Sequence, residues 1–163
     1  MKKIGNALYK LSFIISGSTF TAVVLLIGTN VFLRLFHISF AWIEELAYVF
    51  FTWCVFFGAS LIYGKQGLIC IDVLFNRLSP NAQKICAIFT DILLLVVNVC
   101  LVIWTINLMR ATSRVTPILS ISYVYVYLGM LISFIFSVYY SVETLIYRVQ
   151  GKAIEAVAVE DRA

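Results

Sequence analysis

The chain has 163 residues, of which 63% are hydrophobic and only 12% charged, with a formal net charge of +4. A soluble domain usually carries about 25% charged and 45–50% apolar residues, so this composition excludes a water-soluble globule and leaves no room for a separate soluble domain. The basic residues sit between apolar blocks, which excludes a nucleic-acid footprint and makes them topology signals.

In chain order the first apolar block covers residues 11–33, LSFIISGSTFTAVVLLIGTNVFL. It follows a basic MKK start, but it is too long for a cleaved signal peptide and no A-x-A site follows it, so it reads as a retained span. Three more blocks cover residues 45–63, 85–109 and 123–147. Each has about 19–25 residues, enough at 1.5 Å per residue to cross about 30 Å of hydrocarbon. Backbone groups in lipid must bond within their own segment, so the spans are helices. Continuous apolarity without period-2 alternation excludes a β-barrel. The expected fold is an all-α integral membrane protein of one domain, with four transmembrane helices.

The second span opens on FAWIEELAYVFFTW, with two glutamates at the head of an aromatic run. A carboxylate in hydrocarbon costs roughly 2.5–3.5 kcal/mol on insertion scales, so it needs a reason to be there. Neighbours on a helix point about 100° apart, so Glu44 and Glu45 cannot both face one partner group, and the alternative is that both simply mark the wet end of the span. Arg34, Arg110 and Arg114 lie at the same membrane face as the pair. The expectation is an ion pair between a glutamate and an arginine at an assembly contact, with Trp42 at the lipid–water interface. Gly58 belongs to a small-residue patch with Cys54, Ala59 and Ser60, and Ser16, Gly17 and Ser18 form another in span one. Such patches suit close helix approach.

Between spans two and three, Leu68, Ile71, Leu74, Phe75 and Leu78 share one helical side while Asp72 and Arg77 lie elsewhere, although Ile69 and Val73 interrupt the stripe. Too short to cross, the segment at 67–78 suits an amphipathic helix in the membrane interface. Ser79 and Pro80 then read as N-cap and first helical position of span three. Within that span Asp91 stands as the only acid inside any span. It suits a proton path less well than a headgroup contact, an approach to Lys84, or a helix–helix contact. Pro117 and its hydroxyl-rich neighbours predict a turn between spans three and four. The tail, residues 148–163, reads as a solvated end.

With the N-terminus inside, nine lysines and arginines fall on the inner segments and three on the outer ones. That bias places both termini in the cytoplasm. The chain has a single histidine, His37, and four cysteines without a CxxC pair. Bis-histidine haem ligation is therefore excluded, and metal or redox chemistry is disfavoured. No cofactor is expected on this chain.

Taken in order, W-x-EE leading into span two, the FFTWCVFFGAS run, ICIDVL…RLSP in the inner loop and TPILSIS before span four resemble the small, DctQ-like permease subunit of tripartite ATP-independent periplasmic (TRAP) transporters. The likeness covers roughly residues 5–150. It implies a large multi-span permease subunit that holds the substrate and sodium sites, and a periplasmic substrate-binding protein that delivers organic anions such as dicarboxylates or sugar acids. It also implies the bacterial inner membrane, with lipid around the complex. Trp42, Glu44 and Glu45 match the family's start of span two, and Asp72 its inner-loop acid. Leu68 stands where members often carry a histidine, and Ser122 near where they carry a second proline. The competing reading is an autonomous four-helix transporter or channel acting as a homo-oligomer.

Overall fold

The computed structural model describes residues 2–38, 40–64 and 80–149. They form four α-helices: α1 (Lys2–Leu35), α2 (Ala41–Gly64), α3 (Pro80–Ala111) and α4 (Val124–Val149). All four are long and apolar enough to cross a membrane. The predicted interfacial segment at 67–78, with Leu68, Ile71, Asp72, Phe75 and Leu78, lies outside the described residues, as does the tail from residue 150. Pro80 is the first residue of α3, as its missing N–H predicts. The helices outrun the expected apolar blocks. α1 starts at Lys2 rather than near residue 11, and α2 starts at Ala41, which brings Trp42, Glu44 and Glu45 inside its first turns.

The four helices do not close into a ring. α1 packs on α2, α2 on α4, and α4 on α3, while α1 meets α4 only briefly. The result is an open series, α1–α2–α4–α3, in which α4 is central and α3 has α4 as its one substantial neighbour. Both described connections lie at one end, here the loop end; the opposite end carries the start of α1 and the finish of α4.

Small and polar residues set these contacts. Ser12 and Ser60 are fully buried where α1 crosses α2, with their hydroxyls 3.3 Å apart. Ser133, Ser137 and Ser141, four residues apart, form a buried seam on α4. Ser133 donates to the Phe56 carbonyl of α2, and the other two bond back to their own helix. On α3 the buried Asp91, Asn98 and Thr105 recur every seven residues, which holds them to one face, toward α4. Asn98 and Thr105 satisfy a donor each on carbonyls of their own helix, which removes much of the cost of placing them in lipid. Trp53 of α2 lies across Gly129 of α4, and its indole N–H donates to the Tyr125 carbonyl at 3.1 Å.

α1 stops by local geometry. The His37 N–H donates to the Arg34 carbonyl, the Ile38 N–H to the Leu33 carbonyl, and His37 has φ 58°. This is a Schellman cap with histidine in the left-handed position that glycine usually fills. The α3–α4 connection is a small hairpin. Val115 bridges Ser122, Thr116 exchanges backbone bonds with Ser120 and Ile121, and Ser120 takes the left-handed conformation.

Candidate functional site

The two glutamates do part company, as their angular separation requires, but neither meets an arginine among the described residues. Glu45 turns to the hairpin. Its Oε1 accepts the Ile118 N–H and its Oε2 the Leu119 N–H, both at 2.9 Å. These two donors follow Pro117 in a tight turn. The Thr116 hydroxyl stands beside the same carboxylate and itself accepts the Ile121 N–H. Glu45 therefore fastens the α3–α4 connection to the start of α2. Glu44 turns the other way, and its Oε1 accepts the amide of Asn30 on α1 at 3.3 Å. Asn30 is only 7% exposed, whereas Glu44 keeps an exposed carboxylate. Between them the pair ties three parts of the loop end together.

The other sequence-predicted residues are dispersed. Trp42 is exposed and packs against Phe40 with ring centroids 6.2 Å apart. Arg34 and Arg110 are exposed at the ends of α1 and α3, and neither forms an ion pair among the described residues. Gly58 faces inward. A Cβ there would lie 3.4 Å from Ser16 Oγ, whose hydroxyl donates to the Cys54 carbonyl, so within this chain Gly58 serves the α1–α2 contact.

At the opposite end Asp91 Oδ2 meets Arg148 Nε at 2.5 Å, joining α3 to α4. The reading of Asp91 as the only acid inside a span needs correction. Glu143 lies within α4 and is 2% exposed, with its carboxylate against Gly5 of α1. It stands inside the apolar block at 123–147 and was passed over there. Beside it the Tyr140 hydroxyl reaches the Gly5 carbonyl at 3.5 Å, and Gly64 lies under Tyr9 and Tyr140. This cluster is the brief α1–α4 contact. Sequence reasoning also missed the Ser133, Ser137, Ser141 seam, whose four-residue spacing was a readable signal, and Asn30, which carried none.

The described residues hold no group of three or more histidine, cysteine or acidic side chains placed to bind a metal. Several of the described polar groups instead join one helix to another, as Ser16, Ser133, Trp53, Glu44 and Asp91 do. The family of tripartite ATP-independent periplasmic transporters, DctQ component, matches residues 23–151. That range includes the Glu44–Asn30 and Glu45–hairpin contacts and the Asp91–Arg148 pair, and leaves out α1 before residue 23. No curated protein matches the chain.

Proposed function

The chain belongs to the DctQ-component family of tripartite ATP-independent periplasmic transporters, and on that premise we propose that it packs against and steadies the large permease subunit without binding substrate itself. In this reading the partner carries the substrate and sodium sites, a periplasmic binding protein delivers an organic anion, and both termini of this chain face the cytoplasm. The observation that carries it is the fate of Asp91. A coupling carboxylate in an autonomous transporter has to change partners during the cycle, and this one is held by Arg148 across the α3–α4 contact. The open helix series supports the same reading, since it leaves broad apolar faces for a larger membrane partner.

Of the two glutamates, Glu44 is the one left for that partner. Glu45 has both oxygens engaged on the hairpin, whereas Glu44 has one bonded oxygen and is exposed. The expected contact is a cationic side chain of the large subunit.

The test is purification of the tagged chain from native membranes in mild detergent, with mass analysis of what accompanies it. A near-stoichiometric multi-span partner, with yield reduced in Glu44→Gln, is the expected result. A stable lone chain or homodimer overturns the proposal and moves attention to Asp91 in a flux assay.

A further inference from the structure

Asn30, Arg34 and Glu44 share one edge of the loop end, and the described contacts leave each of them incomplete. Asn30 of α1 is 7% exposed and donates its Nδ2 to Glu44 Oε1 at 3.3 Å, just beyond the usual range of about 2.7–3.2 Å. A carboxylate only accepts, so the amide is fixed with its nitrogen toward Glu44. Its Oδ1 is then shut off from solvent with no hydrogen-bond partner among the described residues, an unfavourable state for a buried acceptor. Arg34 follows Asn30 by one turn on the same side of α1. It is exposed and forms no ion pair among the described residues, although Glu44 stands beside Asn30. A cation and an anion are thus carried about one helical turn apart and do not meet. The apolar length of α1, Ile4–Leu35, is about 48 Å at 1.5 Å per residue, so it outreaches about 30 Å of hydrocarbon and its final turns stand among the headgroups. Exposed Leu35, Phe36 and Trp42 give apolar and aromatic cover at the same edge.

We propose that these residues bind the headgroup of phosphatidylethanolamine, with the phosphate on Arg34 and the primary ammonium between Glu44 and Asn30. Opposite charges held side by side without pairing suit a ligand that carries both signs. This headgroup joins phosphate to ammonium through a short ethylene linker, a spacing close to one helical turn. The ammonium selects the lipid. Glu44 and Asn30 offer acceptors, and a primary ammonium brings three N–H donors. The quaternary ammonium of phosphatidylcholine brings none and favours aromatic faces instead. Asn30 supplies the receiving motion, since a half turn about its χ2 exchanges Nδ2 with Oδ1 and brings the oxygen to the ammonium beside Glu44. Its NH2 then turns toward the carbonyl one turn back, the bond that Asn98 already makes to Leu94 on α3 at 2.8 Å. Binding thereby gives the unpartnered acceptor its donor. A carboxylate offers about four acceptor positions, so the lipid leaves room on Glu44 for a cation of the large subunit, and the inference does not depend on that contact.

The experiment places the full chain, with whatever accompanies it from native membranes, in nanodiscs of phosphatidylethanolamine, phosphatidylcholine and phosphatidylglycerol in equal parts. Native mass spectrometry then counts the lipids the protein retains on release. The native chain should retain phosphatidylethanolamine over both others. Glu44→Gln should lower its ratio to phosphatidylcholine about fivefold, the size of one partly exposed ion pair, and Asn30→Leu should lower it in the same direction. Arg34→Gln should reduce both lipids alike, because both carry the phosphate. The two glutamine variants alter exposed side chains, so the test stands even where Asn30→Leu disturbs the α1–α2 contact. Equal retention of the two zwitterionic lipids by the native chain, or a ratio unchanged in Glu44→Gln, overturns the proposal. A preference for phosphatidylglycerol that Arg34→Gln removes also overturns it, since the edge is then a general contact for anions.

Discussion

Replacing Gly129 by alanine sets two physical effects against each other, and the structure decides the sign. In an exposed helix the change is favourable by about 0.8–1 kcal/mol, because glycine loses more backbone freedom on folding than alanine. Here an added Cβ would stand 2.5 Å from Trp53 Nε1, 2.6 Å from Cδ1 and 2.7 Å from Cε2. Carbon atoms rest about 3.5–4.0 Å apart, so the indole has to withdraw by about 1 Å. These are the inner atoms of a rigid ring, so no flexible tip yields in their place. The withdrawal stretches the 3.1 Å bond from Trp53 to the Tyr125 carbonyl to roughly 4 Å, beyond hydrogen-bond range. Overpacking of this kind costs about 1–3 kcal/mol, and the lost bond a further 0.5–1.5 kcal/mol. Set against the propensity gain, Gly129→Ala should destabilise the chain by about 2 kcal/mol. The measurement is thermal unfolding of the purified protein in detergent, followed by tryptophan fluorescence, with Trp53→Leu and the double variant completing a cycle. In the Trp53→Leu background the same alanine should be neutral or stabilising. An unchanged or raised midpoint for Gly129→Ala in the native background refutes the reasoning, because α2 and α4 would then not be in contact at that level.

Glu45→Gln should free the hairpin. An amide oxygen accepts one of the two N–H groups and its NH2 opposes the other, so hydrogen exchange over residues 112–123 rises sharply, while Glu44→Gln leaves that segment unchanged. Asp91→Asn leaves Arg148 without its charge partner at a buried contact and should cost about 2 kcal/mol. The swap Asp91→Arg/Arg148→Asp should recover part of it in the same thermal assay, and transport per assembled complex should not change for Asp91→Asn. His37→Val should lower stability by about 1–2 kcal/mol relative to His37→Gly, since a branched side chain resists the left-handed cap; equal midpoints would mean that α1 ends differently.

The helices were legible in the sequence because membrane insertion imposes length and apolarity on each segment separately. Their order in space was not, since every span is apolar on several sides and the contacts depend on single small residues such as Ser60, Gly129 and Ser133. The glutamate pair shows the same division. The 100° rule correctly excluded one shared partner group for Glu44 and Glu45, but a partner was sought among arginines because only side chains are visible as letters. The amides of Ile118 and Leu119 are backbone groups, and nothing in the one-letter code marks them as donors. Asn30 was overlooked for a related reason, since an amide in a span reads as an isolated polar residue until its neighbour is known.

The open series of helices also constrains how the protein is made. α1 and α2 find each other as soon as both have left the ribosome, but α3 emerges before α4, its one substantial neighbour. During that interval α3 has to remain in the bilayer alone, with Asp91, Asn98 and Thr105 still uncovered. Its mean hydropathy of 2.6 is the highest of the four spans, and that of α4, at 1.6, is the lowest. The waiting helix is the one best able to hold its place in lipid unaided. The last helix to arrive, with its serines and Glu143, enters where α2 and α3 already stand on either side to receive it.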